Sequence, residues 1–311
     1  MPLFSIPKRA GREQDNKLAK KSNTSRKTQT TVRGGNSLLA RINQIKAMVE
    51  KNLGQFKDDY VIIRTEETLH KYFMWCIDNG VVAIDTETTG LDPILDSIVG
   101  LCLYTPNHKP AYVPINHTSY VTGERVDNQL TEQQVANQFN MLIKHHSDII
   151  MFNAKFDMRV IRNQLGIKDI YCTWDAYLAA RLMNENEERN GLKALHNKYV
   201  LDGKGDAFSF DDLFKGIPAD KIPINTFYLY AAHDAIITYE LYQYQKQFVY
   251  YDATKPHEAR NGMNGVSWVF FNIEMPCIKV VCDMEDNGIK FDFDYNQFLK
   301  DKYHALLEDR V

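Results

Sequence analysis

VVAIDTETTGLD, residues Val81–Asp92, decides how this chain is read. Val81-Val82-Ala83-Ile84 is a short apolar run with the character of a buried strand. It closes on two acids one residue apart, Asp85 and Glu87. Side chains at i and i+2 of a strand share a face, so both carboxylates point the same way. Unpaired charge at the end of a buried strand is costly, and a divalent cation is a partner that satisfies both acids. Thr88, Thr89 and Gly90 then break the strand. Taken alone, D-x-E after an apolar run also describes a strand end with two solvated carboxylates, so the rest of the chain must decide.

Two further stretches bear on that choice. Asp148–Phe152 reads as a second buried strand, and it ends in Asn153-Ala154-Lys155-Phe156-Asp157, which runs into a helix stopped by Gly166. A long helix over Thr226–Tyr250 carries Tyr230-Ala231-Ala232-His233-Asp234, and residues four apart on a helix share a face. Two strands, each with chemistry at its C-terminal end, predict an α/β sheet with its site at the strand ends. Asp85, Glu87, Asp157, Asp234 and Tyr230 thus give four acids and one phenol from three separated segments. Carboxylates are acceptors only, and four of them suit two hard, oxygen-seeking cations such as Mg²⁺ or Mn²⁺. Two such ions about 4 Å apart can clamp the attacking and leaving oxygens of a phosphodiester. The Tyr230 phenol would then orient the attacking water, with no serine, cysteine or histidine nucleophile needed.

Bulk properties bound the rest. With 311 residues, 44% of them hydrophobic, the chain can form one large domain or two small ones. No apolar run approaches the length of a membrane span, and the N-terminus lacks the apolar core of a secretory signal. Five cysteines without a C-x-x-C pair read as reduced thiols in a cytosolic compartment. Residues 1–57 hold 13 Lys and Arg against three acids, whereas the remainder holds 24 against 37. A basic arm on an acidic body is compatible with nucleic acid, the arm neutralising phosphate, and equally with a solvated tail.

Three segments are expected: a basic arm over 1–57, an α/β domain over 58–252 and a helical segment over 253–311. Residues 1–36 have a disorder composition, and Leu38–Leu53 has amphipathic helical spacing. Tyr60–Arg64, Ser97–Tyr104 and Ala111–Pro114 read as strands. Thr65 caps a helix over Glu66–Asp78, and Thr131–Gln134 is a capping box opening a helix to about His145. Trp174–Met183 and Gly191–Val200 read as helices, 202–223 as irregular, and 251–264 as a linker. A helix over Ser267–Asp286, a strand at Ile289–Phe293 and a helix from Tyr295 complete the pattern.

The three motifs resemble the Exo I, II and III motifs of the DEDD-type 3′–5′ exonucleases: D-x-E at Asp85–Glu87, N-x-x-x-D at Asn153–Asp157 and Y-x-x-x-D at Tyr230–Asp234. DTETTGLD, NAKFD and YAAHDA are similar to the proofreading domain of bacterial and phage family A DNA polymerases, over roughly residues 60–250. The resemblance implies a ribonuclease H-like mixed sheet flanked by helices. It implies metal ligation by Asp85, Glu87 and Asp234, with Asp157 on a second ion, and Tyr230 on the nucleophilic water. It places Thr88, Leu91, Asn153 and Lys155 at the substrate, Leu91 as a wedge beside the terminal base and Lys155 at a phosphate. The implied substrate is a single-stranded or frayed DNA 3′ end. The tyrosine subtype follows from Tyr230, because the histidine subtype wants His where this chain has Leu229; His233 is then a neighbour rather than the base. Ile273–Pro276 and Met284–Ile289 are similar to the join between exonuclease and polymerase thumb. The resemblance makes 253–311 the incomplete start of a thumb with no palm or fingers after it, which implies a fragment, one piece of a split gene, or a chain completed by a partner, either a separate polymerase chain or replisome proteins. An RNA-trimming enzyme of the ribonuclease D type and a non-catalytic binding module of the same fold are the alternatives. The former usually follows D-x-E with a bulky aromatic, where this chain has Thr88, and the latter would have lost one or more acids.

Overall fold

A computed structural model describes residues 34–205, 209–249 and 265–308. Of the disorder expected over 1–36, residues 1–33 lie outside the described residues, as does the linker expected over 251–264, while 34–36 are helical. Met1–Arg41 and Ile42–Val311 are separate compact units. Helix α1, Gly34–Leu53, supplies Ile45, Val49 and Leu53 as buried side chains of the second unit.

Six strands make one mixed sheet: β1 Val61–Ile62, β2 Val81–Thr88, β3 Ile98–Tyr104, β4 Ala111–Pro114, β5 Asp148–Met151 and β6 Trp174–Asp175, in the order β1-β4-β3-β2-β5-β6. β2, β3 and β4 are antiparallel neighbours; β5 and β6 extend the sheet parallel to β2. Within this sheet the expected strands form, and one segment read as helix joins them. Trp174 and Asp175 do not begin a helix: they pair with Ile150 and Met151 as the sixth strand, and the helix starts one residue later.

The two faces of β2 divide the core. Val82 and Ile84 pack with Leu69, Phe73 and Cys76 of α2 (Glu66–Asn79), Phe139 of α3 (Glu132–Lys144), and Met158 and Ile161 of α4 (Ala154–Leu165). Ala83 faces the other way, with α5 (Ala176–Met183), α6 (Leu192–Tyr199) and α8 (Ile224–Gln245). Between the last two lies α7, Phe210–Phe214. Local signals set the ends of these helices. Thr131 and Gln134 form the expected capping box, a feature worth about 1 kcal/mol. α2 ends on Gly80 at φ 67°, a left-handed conformation that glycine adopts without strain.

The C-terminal segment runs through α9 (Gly265–Val269), a π-helical turn (Phe270–Glu274) and α10 (Met275–Asn287). Over Gly265–Asn287 it is long and apolar enough to cross a membrane by length and composition. It lies instead against α4, with Ile278 and Cys282 buried. There Lys155 meets Glu285, Arg159 meets Glu285 and Asp286, and Arg162 meets Asp283, all at 2.6–2.8 Å. The strand expected at Ile289–Phe293 does not form. Ile289, Phe291 and Phe293 are exposed and pair with no strand, and α11 (Phe293–Glu308) takes over. Alternating apolar residues make a strand only where a sheet edge receives them.

Three tyrosines toward the C-terminal end of α8 are packing groups. Tyr239 meets Tyr104, Tyr242 meets Trp174, and Tyr244 stacks on Tyr199.

Candidate active site

The alternation of β2 builds the floor of the site. Asp85 and Glu87 continue the Ala83 face and so look toward α8, which brings Tyr230 and Asp234. Thr86 continues the opposite face, where α4 brings Asp157. The Thr86 backbone N–H and hydroxyl both donate to Asp157 Oδ1, at 2.9 and 2.6 Å. That grip turns the Asp157 carboxylate to the edge of β2, beside the other acids. A register irregularity between Glu87 and Thr88 ends the regular ladder with β3 at this point.

One cleft of about 840 Å³ collects these groups. Asp85, Glu87, Asp157, Tyr230 and Asp234 line it, as do Thr88, Leu91 and Asn153. Leu91 is 89% exposed at its mouth, so it is not a buried loop leucine. Lys155 is the expected site residue that the structure does not bring in; its ammonium is held by Glu285, 2.6 Å away. His233 faces elsewhere: its Nδ1 is 2.6 Å from the Tyr60 hydroxyl and its ring stacks on Phe56.

Electrostatics follow from crowding acids with little solvent. Burial and then the neighbouring carboxylates Asp157 and Glu87 hold Asp85 well above the usual carboxylate range. Burial and Asp234 push Glu87 up to about 8. Burial raises Asp157 to about 7 against the pull of the two Thr86 hydrogen bonds. Asp234 is raised by burial, with partial relief from Lys193.

Five residues around the acids were not legible in the sequence. Lys193, from α6, sets its ammonium 2.6 and 2.7 Å from the two oxygens of Asp234 and 3.8 Å from the centre of the Tyr230 ring. Phe210 and Phe214 pack edge-on against the same ring, so the phenol is fixed on several sides. Asp175 is buried at the N-terminus of α5 and accepts the backbone N–H groups of Asn153 and Ala154 as well as those of Tyr177 and Leu178. It thereby fixes Asn153, at φ 64°, and the start of the helix that carries Asp157. Cys102 lies under the acids as the Cα partner of Asp85. A lone lysine, a buried cysteine and a helix-capping aspartate carry no spacing signal.

The donor set suits a divalent cation. The side chains of Asp85 and Glu87 receive no hydrogen bond among the described residues, whereas both oxygens of Asp234 face the Lys193 ammonium at 2.6 and 2.7 Å. Bare, mutually repelling carboxylates persist in a fold when something cationic completes them.

This predicts a pH dependence. Carboxyls whose folded pKa values stand at about 7 and 8 hold protons that the unfolded chain has already lost, so stability falls as pH rises from the ordinary carboxylate range toward 8. In a chelator, the melting temperature is expected to drop between pH 5 and 8 (roughly the interval between unfolded and folded values), and Mg²⁺ should flatten that slope. Lys193→Met removes the ammonium that contacts Asp234. Its metal-free form should melt lower than the parent at pH 8, and Mg²⁺ should raise its melting temperature by more. Scanning fluorimetry with and without chelator checks both.

A ribonuclease H-like sheet thus gathers four carboxylates and a braced phenol in one cleft beside β2. The chain belongs to the 3′–5′ exonuclease family of DNA polymerase A type, whose sequence model matches residues 60–247. Among curated relatives, DNA polymerase I of Borreliella burgdorferi is 27% identical over 217 residues, covering 69% of this chain and 21% of that protein. DNA polymerase I of Synechocystis is 30% identical over 225 residues, covering 70% and 20%. The chain thus spans about a fifth of the length of these relatives. Among solved structures, the POL domain of Pol1 from M. smegmatis, in complex with DNA primer-template and dNTP, has the same fold at a TM-score of 0.53 and 13% identity, over 80% of this chain and 36% of that one.

Proposed function

We propose that this chain removes nucleotides from the 3′ end of DNA as the proofreading exonuclease of a family A DNA polymerase. The observation that carries the reading is the convergence of Asp85, Glu87, Asp157, Asp234 and Tyr230 on one cleft. The relatives named DNA polymerase I support DNA as the substrate.

Asp85, Glu87 and Asp234 would hold one divalent cation, and Asp157 would share in a second, with Mg²⁺ or Mn²⁺ suiting an all-carboxylate set. Such ions, when bound, offset phosphate charge and raise the acidity of water. The chain's own residues do the positioning. Tyr230, clamped by Phe210, Phe214 and Lys193, presents its hydroxyl to the attacking water. Thr88 and Asn153 border the terminal nucleotide, and exposed Leu91 separates the last base from its neighbour.

The test is a 5′-labelled single strand, with DNA and RNA side by side. Stepwise shortening of DNA from the 3′ end, dependent on Mg²⁺ or Mn²⁺ and stopped by chelator, is the expected result. Preference for RNA overturns the DNA assignment. No release with either ion overturns catalysis itself and leaves a binding module.

A further inference from the structure

We propose that Cys102 converts the Asp85–Glu87 pair into a site for one thiophilic divalent cation of the zinc class. This rests on the reading above that the pair holds a cation, and adds a ligand to it.

Cys102 sits on β3 directly across from Asp85 in the antiparallel ladder. Opposed residues of such a ladder project to the same face, so the thiol lies on the face that carries both carboxylates. One ligand atom each from Asp85, Glu87 and Cys102 all fall within 4.8 Å of one another. Zinc–sulfur and zinc–oxygen bonds of about 2.3 and 2.0–2.2 Å bring donors up to roughly 4 Å apart onto one ion, so small side-chain shifts suffice. Asp234, 8% exposed and lining the same cleft, would complete the set by exchanging the Lys193 ammonium, now at 2.6 and 2.7 Å, for the ion.

The chemistry of the donors separates two kinds of ion. Mg²⁺ takes oxygen ligands and leaves a thiol alone. Zinc and cadmium take thiolate readily. With a hard ion, Cys102 is a bystander under the site. With a thiophilic ion, the S–H bond breaks, a sulfur–metal bond forms and the proton passes to solvent; nothing is oxidised or reduced. The thiol is fully buried and does not itself line the cleft, so the carboxylates beside it are the groups that would bring an ion to it. Zinc-class ions should therefore compete with Mg²⁺ for the same place.

Cadmium reports this directly, because a cadmium–thiolate bond adds an ultraviolet charge-transfer absorption. The full chain carrying Cys277→Ser, which removes the exposed thiol, is titrated with Cd²⁺. The expected result is a band that saturates at one ion per chain and is lost on adding Cys102→Ser, with Cd²⁺ affinity at least about tenfold weaker. An unchanged band and affinity in Cys102→Ser overturn the proposal, as does the lack of any band in the starting chain. Should Cys102→Ser fail to fold, Asp85→Asn keeps the thiol and must weaken Cd²⁺ binding; unchanged binding there overturns the proposal. Mg²⁺-dependent nucleotide release by the unmodified chain tests the underlying reading separately. Release without a cadmium band removes only the role of Cys102, and a band without release removes only the exonuclease.

Discussion

Asp85→Ala is expected to slow nucleotide release about a thousandfold or more, near 4 kcal/mol of transition-state stabilisation at 1.36 kcal/mol per factor of ten. Asp85 stands at the centre of the acid cluster, with Asp157, Glu87 and Asp234 all acting on its carboxyl. On the proposed reading, removing it takes away a cation ligand and lowers the number of acids available to hold the ion. The same change relieves repulsion among buried carboxyls, so the metal-free variant should melt no lower than the parent at pH 8. Loss of activity with retained stability is the signature of a functional acid, and single-turnover release measured beside a thermal melt separates the two. Asp85→Asn keeps the side-chain shape and should behave alike. An Asp85→Ala chain that cuts at parental rate removes this acid from the site.

Asp175→Ala should be the most destabilising single change near the site, by about 3 kcal/mol. One carboxylate caps two helix N-termini, α4 through Asn153 and Ala154 and α5 through Tyr177 and Leu178. A cap is worth about 0.5–2 kcal/mol, and each buried N–H left without a partner adds to the loss. For a domain of this size the melting temperature should fall by roughly 5–10 °C. Activity should fall with it even well below the melt, because the α4 start positions Asn153 and Asp157. Asp175→Asn keeps one acceptor oxygen but faces the Ala154 N–H with a donor, so a smaller loss is expected. Equal stability of Asp175→Ala and the parent would remove the double cap from this account.

The acids were legible because each sits at a fixed offset within its own segment. A period of two put Asp85 and Glu87 on one face, and a spacing of four did the same for Tyr230 and Asp234. Which side of the sheet each face met was not written locally, nor was the role of Thr86 in gripping Asp157. Lys193 was invisible because a lysine on a short helix has the pattern of any solvated lysine. Asp175 lay hidden at the join of a two-residue strand and a helix, too short a strand to show alternation. The opposite error arose at Ile289–Phe293, where alternation was present and no sheet edge was there to accept it. The helix boundaries at Thr65, Thr131, Gly80 and Gly166 were readable because capping chemistry is local.

β2 works as a ruler. Odd positions feed one side of the cleft and Thr86 alone grips the acid that arrives from the other, so the pleat fixes both sets of groups in a single phase. Inserting or deleting one residue between Val82 and Thr86 would invert that phase. The hydroxyl would then face α8, the two carboxylates would be driven among the apolar side chains of α2 and α4, and no side-chain rotation could undo the exchange. This strand should therefore accept substitutions far more readily than any change in its length.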